Sequence, residues 1–266
     1  MEKPARLLFL GDIVGDEALT CVENRIPILR KELGLSGVVV NAENAAGGSG
    51  LTVSQYQRLR KGGVDLVTLG DHGLKRREIV PLIERGEPIS RPANLPSQAP
   101  GKAWVETLLA CGTPLRVITL LGRAFMKPVD CPFDALDRHL PEICRSPGIT
   151  LVDLHAEATA EKELLGWYLD GKVSAALGTH THITTADERI LPKGTAYQTD
   201  VGMCGSTSGV MGRKPEAILR TTRTGLPESW SLSTGAIALS GALVEVDPIT
   251  GKALHIQRYR EVGQSV

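Results

Sequence analysis

The chain has 266 residues, of which 42% are apolar and 23% charged, enough to bury a substantial core in one domain spanning 1–266. Its 30 basic and 30 acidic residues cancel, which excludes the strongly basic surface of a bulk nucleic-acid binder. The five cysteines (Cys21, Cys111, Cys131, Cys144, Cys204) are scattered and form no C-x-x-C pair, which argues against a disulfide framework and a zinc knuckle. Most read as small buried hydrophobes, with Cys204 in DVGMCG the one alternative candidate for a reactive thiol. No stretch approaches the roughly 20 apolar residues of a spanning helix, and the run LLFL near the start is too short for a secretory signal. The expectation is a cytoplasmic protein with no membrane contact.

In chain order, ARLLFLGD (5–12) predicts a strand ending in a turn, followed by a helix from about Glu17 to Leu33. SGVVVNAEN (36–44) predicts the next strand, and TVSQYQRLRKGG (52–63) a helix capped by Thr52 and stopped by its glycine pair. VDLVTLGDH (64–72) repeats the strand theme. This β–α–β–α–β order with Val- and Leu-rich strands suggests a largely parallel sheet covered by helices. The Pro-rich polar stretch 84–102 reads as a long surface excursion. Further strands are predicted at 116–122, 149–157, 173–180 and 195–202, and GALVEVDPITGKALHIQRYR (241–260) reads as a closing hairpin.

Polar residues gather where these strands end. Asp12 closes the first, Glu43 and Asn44 the second, and Asp71 and His72 the third. Asp153, His155 and Glu157 end a later one, and His180 and His182 another. Four of the six histidines belong to these clusters; only His139 and His255 lie elsewhere. Ligands in open α/β sheets bind beyond the carboxyl ends of the strands, so five strands deliver polar groups to one rim. Each cluster alone has a plain reading: Asp12 a tight turn, NAEN an Asx-type cap, His155 a hydrogen-bonded core histidine. The H-x-H pair is stronger, because positions i and i+2 of a strand face one side.

Together these residues form an oxygen-and-nitrogen donor set without thiolate, which suits Mn, Fe or Zn. Asp12, Glu43, Asn44, Asp71, His155, His180 and His182 are too many for one tetrahedral ion. A pair of ions about 3.5–4 Å apart, bridged by a carboxylate, would use them all and would serve phosphoester hydrolysis.

The pattern resembles the calcineurin-like metallophosphoesterases, and within them the YmdB family. The matching stretches are NAENAAGGSGLT, DLHAEATAEK, GTHTHITTADERILPKGTAYQTDVGMCG and GVMGRKPE, and the likeness runs from Leu7 to about Arg220. The resemblance implies an α/β fold, a four-layer αββα sandwich of the metallophosphoesterase type. It implies phosphodiesterase activity on small phosphodiesters, 2′,3′-cyclic nucleotides above all, through attack of a metal-activated hydroxide. Two divalent or mixed-valence ions are implied, iron foremost, with manganese or zinc as substitutes. Carried over by position, Asp12, Asn44 and His182 hold the first ion, Asp71, His155 and His180 the second, and Glu43 bridges. His72 donates the proton to the leaving oxygen. Arg91 and Asn94 are candidate substrate contacts, and the glycine-rich 47–50 and 205–209 either approach a phosphate or form flexible loops. A homo-oligomer is compatible with all of this.

One position departs from the family: Asp71 stands where asparagine is usual. The added negative charge should tighten metal binding and make the activated water less acidic, slowing turnover by roughly 5–30-fold. That departure keeps open an alternative, a nucleotide-binding regulatory protein with weak or no turnover. A metal-dependent amidohydrolase ranks last, because the eight βα repeats of a barrel are not visible.

Overall fold

The computed structural model describes residues 3–263. In chain order its elements are β1 (Ala5–Leu10), β2 (Asp12–Ile13), α1 (Gly15–Glu32), β3 (Gly37–Asn41), α2 (Val53–Lys61), β4 (Leu66–Thr68), α3 (Val80–Glu84), β5 (Ile89–Ser90), β6 (Trp104–Leu108) and β7 (Pro114–Leu121). There follow α4 (Pro132–Ile143), β8 (Ile149–His155), α5 (Thr159–Leu169), β9 (Ala175–Thr179), β10 (Arg189–Ile190), β11 (Ala196–Gln198), β12 (Met203–Ser206), α6 (Pro215–Thr224), β13 (Ile237–Val246) and β14 (Ala253–Val262). One sheet has the order β2-β12-β13-β1-β3-β4-β5, with β14 also paired to β13; the other runs β10-β11-β9-β8-β7-β6.

Three apolar layers make the αββα sandwich. On β1, Leu8 and Leu10 pack toward α1 and α2, while Leu7 and Phe9 point into the space between the sheets. On β8, Leu151 faces that same space, and Val152 and Leu154 pack toward α4 and α5. Both faces of each central strand are thus buried, which is why their sequences are continuous apolar runs rather than alternations. Helix α1 supplies Ala18, Leu19, Val22, Ile26 and Leu29, a helical spacing that lays one face on the sheet.

The expected capping box of α2 is present. The Thr52 side chain accepts from Gln55 N–H at 3.2 Å, and Gln55 Oε1 accepts from Thr52 N–H at 3.1 Å. The closing hairpin is also present as β13 and β14, antiparallel over their length.

The stretch 84–102 corrects the expectation of a surface excursion. Ile89 and Ser90 form β5, parallel to β4, and residues 89–94 are buried. The polar composition misled for residues 89–94, where Arg91 and Asn94 are satisfied inside; 84–88 and 95–102 are partly or fully exposed, as expected. Arg91 donates to the carbonyls of Pro92 (2.6 Å), Pro100 (3.1 Å) and Gly101 (3.0 Å). Asn94 Nδ2 donates to the carbonyls of Leu121 and Asp130, and its Oδ1 accepts from Leu121 N–H.

Candidate metal centre

The parallel strands β1, β3 and β4 of one sheet and β8 and β9 of the other all end on one rim. There the face that looks between the sheets turns polar. Val39 is followed two residues on by Asn41, Leu66 by Thr68, Leu151 by Asp153 and His155, and Leu177 by Thr179, all of them buried. The loops after these strands carry the rest of the site.

Asp12 begins β2, where it pairs with Met203. Its Oδ2 accepts from His180 N–H at 3.1 Å, while the buried Oδ1 has no hydrogen-bond partner. Glu43 and Asn44 follow β3 in a loop whose hydrogen bonds include Glu43 N–H to Asn41 Oδ1 and Gln55 Nε2 to the Ala45 carbonyl, both 3.1 Å. Glu43 Oε2 accepts from His72 N–H at 2.8 Å, and Glu43 Oε1 lies 3.3 Å from His155 Nε2. Asp71 Oδ1 lies 3.3 Å from the same nitrogen and 3.6 Å from His180 Nδ1. Gly70 makes this approach possible, since a Cβ there would sit 2.2 Å from His155 Nε2.

Hydrogen bonds behind the site set the tautomers. Thr179 Oγ1 donates to Asp153 Oδ1 at 2.6 Å, so His155 Nδ1, 2.8 Å from that hydroxyl, must donate to it. Its Nε2 is thereby left facing Glu43, Asp71 and His180. Asp153 also accepts from Thr68 Oγ1 (2.5 Å) and Asn41 Nδ2 (3.1 Å). His180 Nε2 pairs with Glu157 Oε2 at 3.2 Å, which leaves its Nδ1 facing His155 Nε2 at 3.1 Å. This is the outer hydrogen bonding that orients metal-binding imidazoles.

His180 and His182 lie beyond β9 with φ of 91° and 66°, so they converge through a left-handed turn and not, as expected, by strand alternation. His182 Nε2 is 3.8 Å from the unpartnered Asp12 Oδ1 and 3.4 Å from Asn44 Nδ2. His72 stands at the mouth, its side chain 34% exposed. Its Nδ1 is 2.8 Å from Asn44 Oδ1, an acceptor, so Nδ1 carries the hydrogen and Nε2 points away, 3.7 Å from Asp71 Oδ2.

The electrostatics describe a pocket built around positive charge. Burial opposes ionisation of Glu43 and Asp71, yet the adjacent His155 holds both carboxyls below their ordinary range. Burial raises Asp12, offset in part by His182. Burial likewise disfavours the charged form of His155, but Glu43 and Asp71 push it well above the usual histidine value. His180 is brought down to about 4 by burial and by the charge of His155.

Glu43, Asp71, His155 and His180 bring one ligand atom each within 4.8 Å of one another. This acidic set, gathered around the His155 imidazole and beside the unpartnered Asp12 carboxylate oxygen, fits a divalent cation of the N/O-preferring kind.

Three candidates from the sequence lie outside this arrangement. Arg91 and Asn94 are committed to backbone groups and are corrected to structural residues. Cys204 is buried, and burial pushes its thiol up to about 12, so it is no nucleophile. Gly48 and Gly50 pack against Arg213 and Arg76, while Gly47 is exposed. Sequence reasoning gave no role to Asn41, Thr68, Asp153 and Thr179, although each lies two residues beyond an apolar residue of the inter-sheet face.

Residues 8–259 match the family of YmdB-like proteins. A protein of Bacillus subtilis strain 168 named 2′,3′-cyclic-nucleotide 2′-phosphodiesterase is 43% identical over 95% of this chain and 96% of its own length. A crystal structure titled a novel phosphatase, from Mycoplasma pneumoniae, superposes with a TM-score of 0.91 at 32% identity, covering 100% of this chain and 96% of that one. Another, of a protein from Thermus thermophilus titled hypothetical, gives 0.89 at 40% identity over 97% and 99%. The chain belongs to the YmdB-like family and is a hydrolase acting on phosphoric ester bonds.

Proposed function

We propose that this protein is a dinuclear-metal phosphodiesterase of the cytoplasm, formed as a single domain, that opens 2′,3′-cyclic nucleotides at the 2′ oxygen. The observation that carries the reading is the acidic and imidazole cluster of Glu43, Asp71, His155 and His180, with His72 at its mouth. Asp12, Asn44 and His182 would hold one ion and Asp71, His155 and His180 the other, with Glu43 available to both. The donor set suits iron, with manganese or zinc competent. When bound, such ions acidify water and withdraw charge from phosphate oxygens.

The chain's own residues do the rest. Asn44 Oδ1 accepts from His72 Nδ1 and fixes the ring, so the transferable proton sits on Nε2. As water adds to phosphorus and the bond to the leaving oxygen breaks, that proton passes to the leaving oxygen; the proton lost by water goes to solvent. The partial exposure of His72 lets it be reprotonated after each turnover, in keeping with general acid catalysis.

The purified chain supplied with Mn²⁺ is expected to hydrolyse both bis-p-nitrophenyl phosphate and 2′,3′-cyclic nucleotides. Hydrolysis of the first alone would move the substrate to another phosphodiester, and hydrolysis of neither would overturn the proposal.

A further inference from the structure

Two fully buried ionisable residues adjoin the site without entering it, Lys162 of α5 and Asp200 beyond β11. Lys162 Nζ donates to Asp200 Oδ2 at 2.7 Å and to the Thr179 carbonyl at 2.6 Å. Asp200 Oδ2 also accepts from Thr181 N–H (3.1 Å) and Thr181 Oγ1 (2.7 Å), and its Oδ1 accepts from Gly202 N–H (2.8 Å). Thr181 lies between His180 and His182. One carboxylate therefore grips the middle of the histidine turn, and one ammonium grips its entrance.

The surroundings are fitted to this contact. At Gly178 a Cβ would lie 1.7 Å from the Thr199 carbonyl oxygen and 2.9 Å from Lys162 Cδ, so only glycine lets these segments close on one another. A buried ion pair is a weak source of net stability, because desolvating both charges offsets much of their attraction. An apolar pair would fill the space as well, so stability alone does not account for the charges. Geometry does. Two non-glycine residues with φ of 91° and 66° are in a disfavoured region that persists only where the surroundings over-determine it.

We infer that Lys162 and Asp200 are positioning residues, which through Thr181 hold the turn so that His180 Nδ1 and His182 Nε2 face the metal positions. The inference rests on the dinuclear reading above. It is tested by Mn²⁺ binding to the purified full chain, measured by calorimetry and electron paramagnetic resonance. Lys162→Met removes the ammonium at similar length, and Thr181→Val removes only the hydroxyl.

Each variant is expected to weaken Mn²⁺ binding by about 10–100-fold, the scale for groups that orient metal ligands. The spectrum of the paired ions should change with it. Thr181→Ser, which restores the hydroxyl, should bind like the wild type. If Lys162→Met does not fold, the Thr181→Val and Thr181→Ser pair decides the matter. Wild-type affinity and spectrum in Thr181→Val would overturn the inference and leave the metal reading intact, even if the thermal midpoint fell. A wild-type chain that takes up no Mn²⁺ would overturn both.

Discussion

The site has two histidine loops, one from each sheet, and they are held in different ways. Asp71 and His72 follow β4, and His72 is held by Glu43 and Asn44 on the rim and by Lys75 N–H to its carbonyl, with its ring partly in solvent. His180 and His182 follow β9 in a turn clamped from behind by Thr181, Asp200 and Lys162, the last two fully buried. The contrast matches the work proposed for each. A proton donor must meet both substrate and water, and a few bonds that set its tautomer suffice. Metal ligands must hold their positions whether or not an ion is bound, which requires a rigid supporting shell.

The largest expected effect comes from cutting the clamped loop. In His180→Ala, bound metal, measured by atomic emission, should fall and phosphodiesterase activity should drop to background. Retention of full metal content would remove His180 from the ligand set. The loop after β4 should behave differently. His72→Ala is expected to lower kcat by about 10²–10⁴-fold with metal content unchanged, and metal loss there would recast His72 as a ligand.

A smaller effect is expected at Asp71, the residue shared by both loops through its contacts with His155, His180 and His72. Asp71→Asn removes one negative charge and keeps a ligand oxygen, so turnover should rise by roughly 5–30-fold while Mn²⁺ binding weakens. Unchanged or reduced turnover would show that the aspartate is no handicap. The smallest effect should come from Thr52→Ala in the α2 capping box, at about 1 kcal/mol of stability. Thermal denaturation would show it, and kcat should stay near wild type, because the bond from Gln55 to Ala45 can survive loss of the cap.

Much of this organisation was legible in the chain. The strands were visible because burial on both faces demands continuous apolar runs, and Asp12, Glu43, Asn44, Asp71, His155, His180 and His182 stood out because each interrupts or follows such a run. Arg91 and Asn94 were misread for the same reason in reverse. Polar residues in a Pro-rich stretch look solvated, yet Arg91 is satisfied by carbonyls of that same stretch folded back around it, and Asn94 by those of Leu121 and Asp130 from elsewhere in the fold. Asp153 and Thr179 went without a role because a hydrogen-bond chain from one strand to another has no local sequence period.

The sequence by itself determined that polar residues cluster at strand ends, since that depends only on where apolar periodicity stops. Only the tertiary structure decided which atoms face inward. Tautomers depend on partners far away in the chain, as when Thr179 of β9, itself donating to Asp153, orients His155 of β8. The histidine turn likewise depends on a lysine from α5 and an aspartate from the loop after β11. Such pairings are set by the packing of the two sheets and their helices, which no stretch of sequence records on its own.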